Sequence, residues 1–242
     1  MCARSCKRLD LSPSMCLSLH VLRPLFFCSY RCRYCGEGAA PLFDSVFPIL
    51  LAGVDSDEPT LRQPCAYGVG VAAGSAPLAL GTSSWVDHCL QRLAASASKP
   101  GAREGEQESA TDNVVSAIGT MCVNLAAHGS VQRNGDALWQ QYLGYLPLRS
   151  DVEEAAKVTL QLCRLTRAGD VGLLGAQRQR LPLVWAVLIG AVGEPGSSPA
   201  VHSEIVGAIQ VLSSALAPDQ IAQLWAATAP DVAAKARAHL AI

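Results

Sequence analysis

The chain has 242 residues, half of them hydrophobic, 16% charged and 5% aromatic, with 20 Gly, 14 Pro and 10 Cys. That length and apolar fraction exclude a disulfide miniprotein and a wholly disordered chain, and leave room for one large domain or a repeat array. With 19 basic against 20 acidic residues the formal net charge is −1, so nothing global points to nucleic acid or to an anionic membrane.

The near-neutral total hides two unlike parts. Up to Cys35 stand Arg4, Lys7, Arg8, Arg23, Arg31 and Arg33 against Asp10 alone, together with six of the ten cysteines. From Gly36 onward 13 basic residues face 19 acidic ones, a balance of −6. Asp10, Pro13, His20 and the Arg23-Pro24 pair interrupt the apolar run that a secretory signal needs. The longest apolar stretch, Leu181 to Gly193, is about thirteen residues against the ~20 of a spanning helix, and reads as a buried helix with no membrane insertion. In the reducing compartment this implies, Cys65, Cys89, Cys122 and Cys163 read as small buried hydrophobes.

Residues 1–40 form a Cys/Arg-rich leader with little periodicity, expected to be poorly ordered. Thereafter Leu42, Phe43, Val46, Phe47, Ile49 and Leu50 make one broad apolar helical face. Ser56-Asp57-Glu58 supply an N-cap and first-turn carboxylates for a second helix running to about Gly74. The pairing recurs. Second helices are expected to start near Asp57, Ser109, Asp151 and Pro199, each after an apolar-periodic segment at about 42–53, 78–98, 136–147 and 181–193. Two helices in a period of ~40–47 residues are the signature of HEAT or armadillo arrays. The polar stretch 99–108 lacks apolar anchors and is expected to be a mobile acidic loop between two helices of one repeat. From Ala217 a helical cap follows, with Lys235, Arg237 and His239 near its C-terminal end, where the helix dipole favours cations. The expected fold over 41–242 is an all-α, HEAT/armadillo-like α-solenoid of about four helix pairs plus this cap. A solenoid also needs a polar terminal repeat, which residues 1–40 do not offer, so the chain is expected to be part of something longer.

Several motifs carry chemistry. Cys28-Ser29-Tyr30-Arg31-Cys32-Arg33-Tyr34-Cys35 is a CxxxCxxC, whose three thiolates could hold three irons of a [4Fe–4S] cluster, or zinc. The string resembles radical SAM enzymes, although no alternating strand–helix pattern follows it. Tyr67-Gly68-Val69-Gly70 lacks the third glycine of a dinucleotide site and reads as close helix packing. His88 beside Asp87 reads as a surface pair. Glu104, Glu106 and Glu108 are candidates for attracting a basic partner. Trp85, Trp139, Trp185 and Trp225 each fall on a helix and are expected to fill the core between repeats. No catalytic residue or cofactor is assigned.

Three strings in order resemble the C-terminal part of the importin beta-3 type of nuclear import receptor, in the karyopherin beta family. Arg62-Gln63-Pro64-Cys65-Ala66-Tyr67-Gly68-Val69-Gly70-Val71 is similar to the family's Arg-Gln-Ala-Ala-x-Tyr-Gly-Leu-Gly-Val helix. Ala110-Thr111-Asp112-Asn113 with Ala117-Ile118-Gly119 resembles its Ala-Thr-Asp/Glu-Asn-x-x-x-Ala-x-Gly helix after an acidic insert. Leu146-Pro147-Leu148 with Asp151, Glu153, Glu154 and Ala155 is similar to its Leu-Pro-Leu-x-x-Asp-x-Glu-Glu-Ala turn. Leu174-Gly175, Leu181-Pro182 and Ala217 to Gln220 also fall in place. The likeness covers about 41–242 and not 1–40. Pro64 departs from the family's Ala, removes an amide donor, and should kink the helix or delay its start.

The resemblance implies a non-enzymatic receptor of cytoplasm and nucleus that carries basic or folded cargo through the pore and touches Phe-Gly nucleoporins. It also implies release by Ran-GTP, whose main contacts lie in amino-terminal repeats that this chain lacks. The competing reading is an iron–sulfur or zinc protein built on Cys28, Cys32 and Cys35. Anaerobic reconstitution with iron and sulfide separates the two, because the scaffold reading expects no visible absorption band and no stoichiometric metal.

Overall fold

The computed structural model describes residues 34–240. A 3-10 helix, Gly36–Leu42, leads into α1 (Phe43–Val54), α2 (Pro59–Ser75), α3 (Pro77–Gly81), α4 (Trp85–Ala97), α5 (Gln107–Asn124), α6 (Gly129–Arg133) and α7 (Gly135–Gly144). Then come α8 (Val152–Ala168), α9 (Val171–Leu174), α10 (Leu181–Ala191), α11 (Pro199–Ser214), α12 (Pro218–Ala227) and α13 (Pro230–Leu240). Among the described residues there is no strand, and the chain is all-α.

The second helix of each expected pair starts at Pro59, Gln107, Val152 and Pro199, within two residues of the sequence reading. Local chemistry explains the agreement. Asp151 Oδ1 accepts the Glu154 amide at 3.1 Å and Ser198 Oγ accepts the Val201 amide at 3.4 Å, as N-caps should. Gly169, at φ +65°, closes α8 in the left-handed conformation that glycine adopts without steric cost. Pro64 lies inside α2, whose start is not delayed: Pro59 opens the helix, and the Leu61 and Arg62 amides both reach the Glu58 carbonyl.

The first helices are more broken than periodicity predicts. The segment 78–98 divides into α3 and α4 because Thr82 to Ser84 turn back on the helix end. There Ser83 Oγ donates to the Leu80 carbonyl at 2.7 Å and accepts the Trp85 amide at 3.2 Å. A short α9 precedes α10, capped by Asp170 Oδ1 on the Leu173 amide at 2.8 Å. The 3-10 helix and α1 also join into one run, Gly36–Val54, which by length and composition alone is apolar enough to cross a membrane and exceeds Leu181–Ala191. In the fold Phe43, Val46, Phe47, Leu50, Leu51 and Val54 of this run are buried, and α1 packs on α2 and α4.

Side-chain pairings give the helix directions. An added Cβ on Gly70 of α2 would lie 3.3 Å from Ala117 Cα of α5, and one on Gly74 would lie 3.5 Å from Thr120. Asn113 and Ser116 of α5 bond Asp151 and Glu154 at the start of α8, and Arg167 near the end of α8 meets Glu204 of α11 at 2.7 Å. An added Cβ on Gly196, just ahead of α11, would lie 2.8 Å from Ala155 Cβ near the start of α8, so here too the numbers rise together, and α2, α5, α8 and α11 lie side by side and parallel. Behind them α1 packs on α4, α4 on α6, α7 on α10 and α10 on α13.

The middle of this arrangement is α5, in which every residue from 110 to 122 is buried. It carries Thr111, Asp112, Asn113, Ser116 and Thr120 into the interior, where each must find a partner. Thr111 Oγ1 donates to the Ala102 carbonyl at 2.6 Å, Asn113 Nδ2 donates to Asp151 Oδ2 at 2.7 Å, and Thr120 Oγ1 donates back to the Ser116 carbonyl at 2.9 Å. Asp112, wholly buried, binds most. Its Oδ2 accepts the amides of Arg149, Ser150 and Asp151 at 3.2, 2.8 and 2.9 Å, and its Oδ1 pairs with Arg103 at 2.9 Å.

Aromatic rings tie the outer helices. Phe47 stacks on Trp85 at 5.5 Å between α1 and α4, Trp139 meets Tyr142 edge-on at 5.8 Å, and Trp185 meets Trp225 edge-on at 5.4 Å between α10 and α12. All four tryptophans lie on helices, as expected. Trp139 and Trp185 are buried, whereas Trp85 and Trp225 are half-buried.

Asp112→Ala should lower the unfolding free energy by about 3 kcal/mol, since it leaves three turn amides without an acceptor and a partly buried guanidinium without its counter-charge. Asp112→Asn, which keeps an acceptor, should cost roughly half as much; urea unfolding followed by circular dichroism measures both.

Candidate partner-binding edge

Because the second helices are parallel, their N-terminal turns gather on one edge of the molecule. The bonds show the turns as neighbours. Lys99 Nζ, in the loop before α5, donates to Asp57 Oδ1 at 2.8 Å and to the Asp55 carbonyl at 2.6 Å, both in the loop before α2. Gln63 of α2 donates to Asp151 Oδ2 at 3.1 Å, at the start of α8.

The carboxylates of this edge fall into two sets. Asp112, Asp151 and Glu154 are structural: the last accepts from Ser116 Oγ and from Lys157 Nζ, the latter at 2.9 Å. Asp55 pairs with Arg92 on α4. A second set faces outward: Asp57, Glu58, Glu104, Glu106 and Glu153 are exposed and Glu108 is half-buried. They sit at or just before the first turns of α2, α5 and α8, where the amide ends of the helix dipoles favour negative charge. The structure therefore adds Asp57, Glu58 and Glu153 to Glu104, Glu106 and Glu108. The sequence signal for them was their common offset from each second-helix start.

The loop that carries Glu104 and Glu106 differs from expectation. The sequence predicts a mobile loop over 99–108, whereas α5 already begins at Gln107 and the loop is tied at several points. Ala102 is buried, and Arg103 sends Nη1 to Asp112 and Nη2 to the Tyr145 carbonyl at 2.9 Å, its guanidinium 5.8 Å from the Tyr145 ring centre. The anchors are one alanine and two long cationic side chains, which a search for apolar residues passes over.

Electrostatics follow the geometry. The hydrogen bond and charge of Lys99 hold the Asp57 carboxyl below its ordinary value. Burial pulls Arg62 down, and the Asp57 charge partly opposes that shift.

Of the candidate metal thiols, Cys28 and Cys32 lie outside the described residues, and Cys35 is an exposed free thiol just before the 3-10 helix. Among the described residues no three His, Cys, Asp or Glu side chains gather as a metal site. Cys65, Cys89, Cys122 and Cys163 are buried free thiols, each pushed up to about 12 by desolvation. His88 is exposed beside the Trp85 ring, and Arg133 reaches Asp87 at 3.0 Å. Gly70 lets α2 approach α5, the role expected of the Gly-x-Gly pair. The basic residues at the chain's end have specific partners: Lys235 bonds Glu194 at 2.8 Å and Arg237 lies 4.9 Å from the Trp225 ring centre.

At pH 8 a thiol raised to about 12 is almost wholly protonated, and the thiolate is the nucleophile. Iodoacetamide should therefore modify Cys35 in the native protein and spare Cys65, Cys89, Cys122 and Cys163 until denaturant is added, as peptide mass mapping would show. No protein-family model matches the chain.

Proposed function

We propose that this protein is a non-enzymatic protein-binding scaffold of the karyopherin beta type, acting in cytoplasm and nucleus, that takes basic segments of its cargo along the acidic edge. The observation that carries this reading is the convergence of Asp57, Glu58, Glu104, Glu106, Glu108 and Glu153, from three helix starts nearly a hundred residues apart, onto one side of the molecule. Carboxylates spread over such an edge attract lysine and arginine without demanding one geometry, which suits varied basic cargo. The ordered likeness of three strings to the importin beta-3 type supports the same reading. On this proposal Phe-Gly nucleoporins are further partners, and Ran-GTP acts through repeats that precede this portion in the family.

The test is binding of a fluorescent Lys/Arg-rich localisation peptide to the full chain, read by anisotropy at several salt concentrations. The triple change E104Q, E106Q and E108Q should weaken binding by roughly three- to tenfold at low salt and flatten its salt dependence. Equal affinity of wild type and variant would overturn the reading. Pull-down on Phe-Gly repeats tests the family assignment separately: capture supports it, and absence of capture counts against it.

A further inference from the structure

Arg62 stands apart from the other charged side chains of the second helices. It is 2% exposed, yet among the described residues no carboxylate bonds it. Its Nη1 donates to the Ser56 carbonyl at 2.9 Å, its Nη2 donates to the side-chain oxygen of Gln107, and its Nε has no partner. Arg180, equally buried, shows the usual solution: it pairs with Asp136 at 2.5 Å and donates to the carbonyls of Leu173 and Gly172. A buried guanidinium bonded only to neutral acceptors is compensated only in part, here through space by the Asp57 charge.

A hollow of about 250 Å³ opens beside Arg62, lined by Asp57, Lys99, Gln107 and the Pro100 to Ala102 turn. Lys99 is the second cation there. Its ammonium uses two donors, on the Asp55 carbonyl and on Asp57, and has a third. Among the described residues the only carboxylate lining the hollow is Asp57, whose side chain is 97% exposed on the rim. Two cations thus share one rim anion, which is hydrogen-bonded to Lys99 and not to Arg62.

We propose that this hollow is an oxyanion site that takes a phosphoryl group between Arg62 and Lys99. A planar guanidinium and a mobile ammonium placed together suit a tetrahedral, multiply charged oxyanion, which can accept from both at once. A carboxylate has fewer oxygens to share between them. The exposed Glu104 and Glu106 nearby repel a free anion but attract lysines and arginines that flank a phosphoserine. The preference for a phosphoryl group borne on a basic segment rests on the acidic-edge reading, whereas the site itself rests on Arg62 and Lys99 alone.

The test titrates the full chain with inorganic phosphate, against chloride at matched ionic strength, by calorimetry. In parallel, a Lys/Arg-flanked phosphoserine peptide is compared with its serine form by anisotropy. K99M is the main variant, because Lys99 reaches solvent and its loss spares the buried Arg62; R62K is the second, and thermal melts establish that both are folded. Saturable phosphate binding that weakens at least tenfold in K99M supports the site. Phosphopeptide binding about tenfold tighter than the serine form, with the gain lost in K99M, assigns the phosphoryl group to a partner. Phosphate binding without any peptide preference keeps the site and removes only the assignment of the phosphoryl group to a partner, while the acidic-edge reading is decided by the E104Q, E106Q and E108Q comparison. Absence of saturable binding of both phosphate and phosphopeptide to wild type, or binding unchanged in K99M and R62K, overturns the proposal.

Discussion

A single wholly buried carboxylate organises the molecule. Asp112 sits on the helix that has neighbours on every side, and its charge is tolerable there only because three backbone amides and a guanidinium converge on it. Those partners come from two other places in the chain, the loop before α5 and the turn before α8. Satisfying one side chain therefore sets the position of both. With the turn held, Asp151 caps α8 through one oxygen and receives Gln63 and Asn113 through the other, so that the first turns of α2, α5 and α8 are locked together.

Close approach of the helices makes this network possible. Gly70 and Ala117 let α2 and α5 come together with no side chain between them, and Gly119 leaves the space that the Tyr142 ring occupies. The narrow spacing is what buries Asn113, Ser116 and Thr120 and obliges them to bond across or along the helices. Small and polar residues thus do in α5 what large apolar ones do in α1 and α10, where Phe47, Leu50, Trp185 and Leu188 fill the core. Each such side chain, fully buried, contributes about 1.5–3 kcal/mol.

The same geometry separates structural charge from available charge. Asp112, Asp151 and Glu154 are used up in holding helices, while Asp57, Glu58, Glu104, Glu106 and Glu153 are left on the rim of the same edge. Of Lys99, Arg103 and Arg62 on this edge, only Arg103 pairs with a buried carboxylate. The edge is therefore an acidic surface with Arg62 buried and Lys99 and Arg103 half-buried within it.

What the sequence determined by itself is local. Helix starts at Pro59, Val152 and Pro199 were legible from caps and prolines, and the apolar faces of α1 and α10 from spacing, because backbone hydrogen bonding within a helix involves residues only a few positions apart. The four later cysteines, Trp139 and Trp185 were legible for a similar reason, since their bulk or softness suits burial in almost any helical packing, whereas Trp85 and Trp225 are only half-buried. Tertiary structure alone decided the rest. Five buried polar residues gave no sign in α5 that it would be enclosed, since polar side chains read as solvent-facing until a partner from another segment is known. The anchoring of the 99–106 loop depended on Asp112 and Tyr145, and the gathering of Glu153 and Asp57 beside Glu104 depended on α2, α5 and α8 lying parallel. These are contacts between residues tens of positions apart, and their energies exist only once the helices have been brought together.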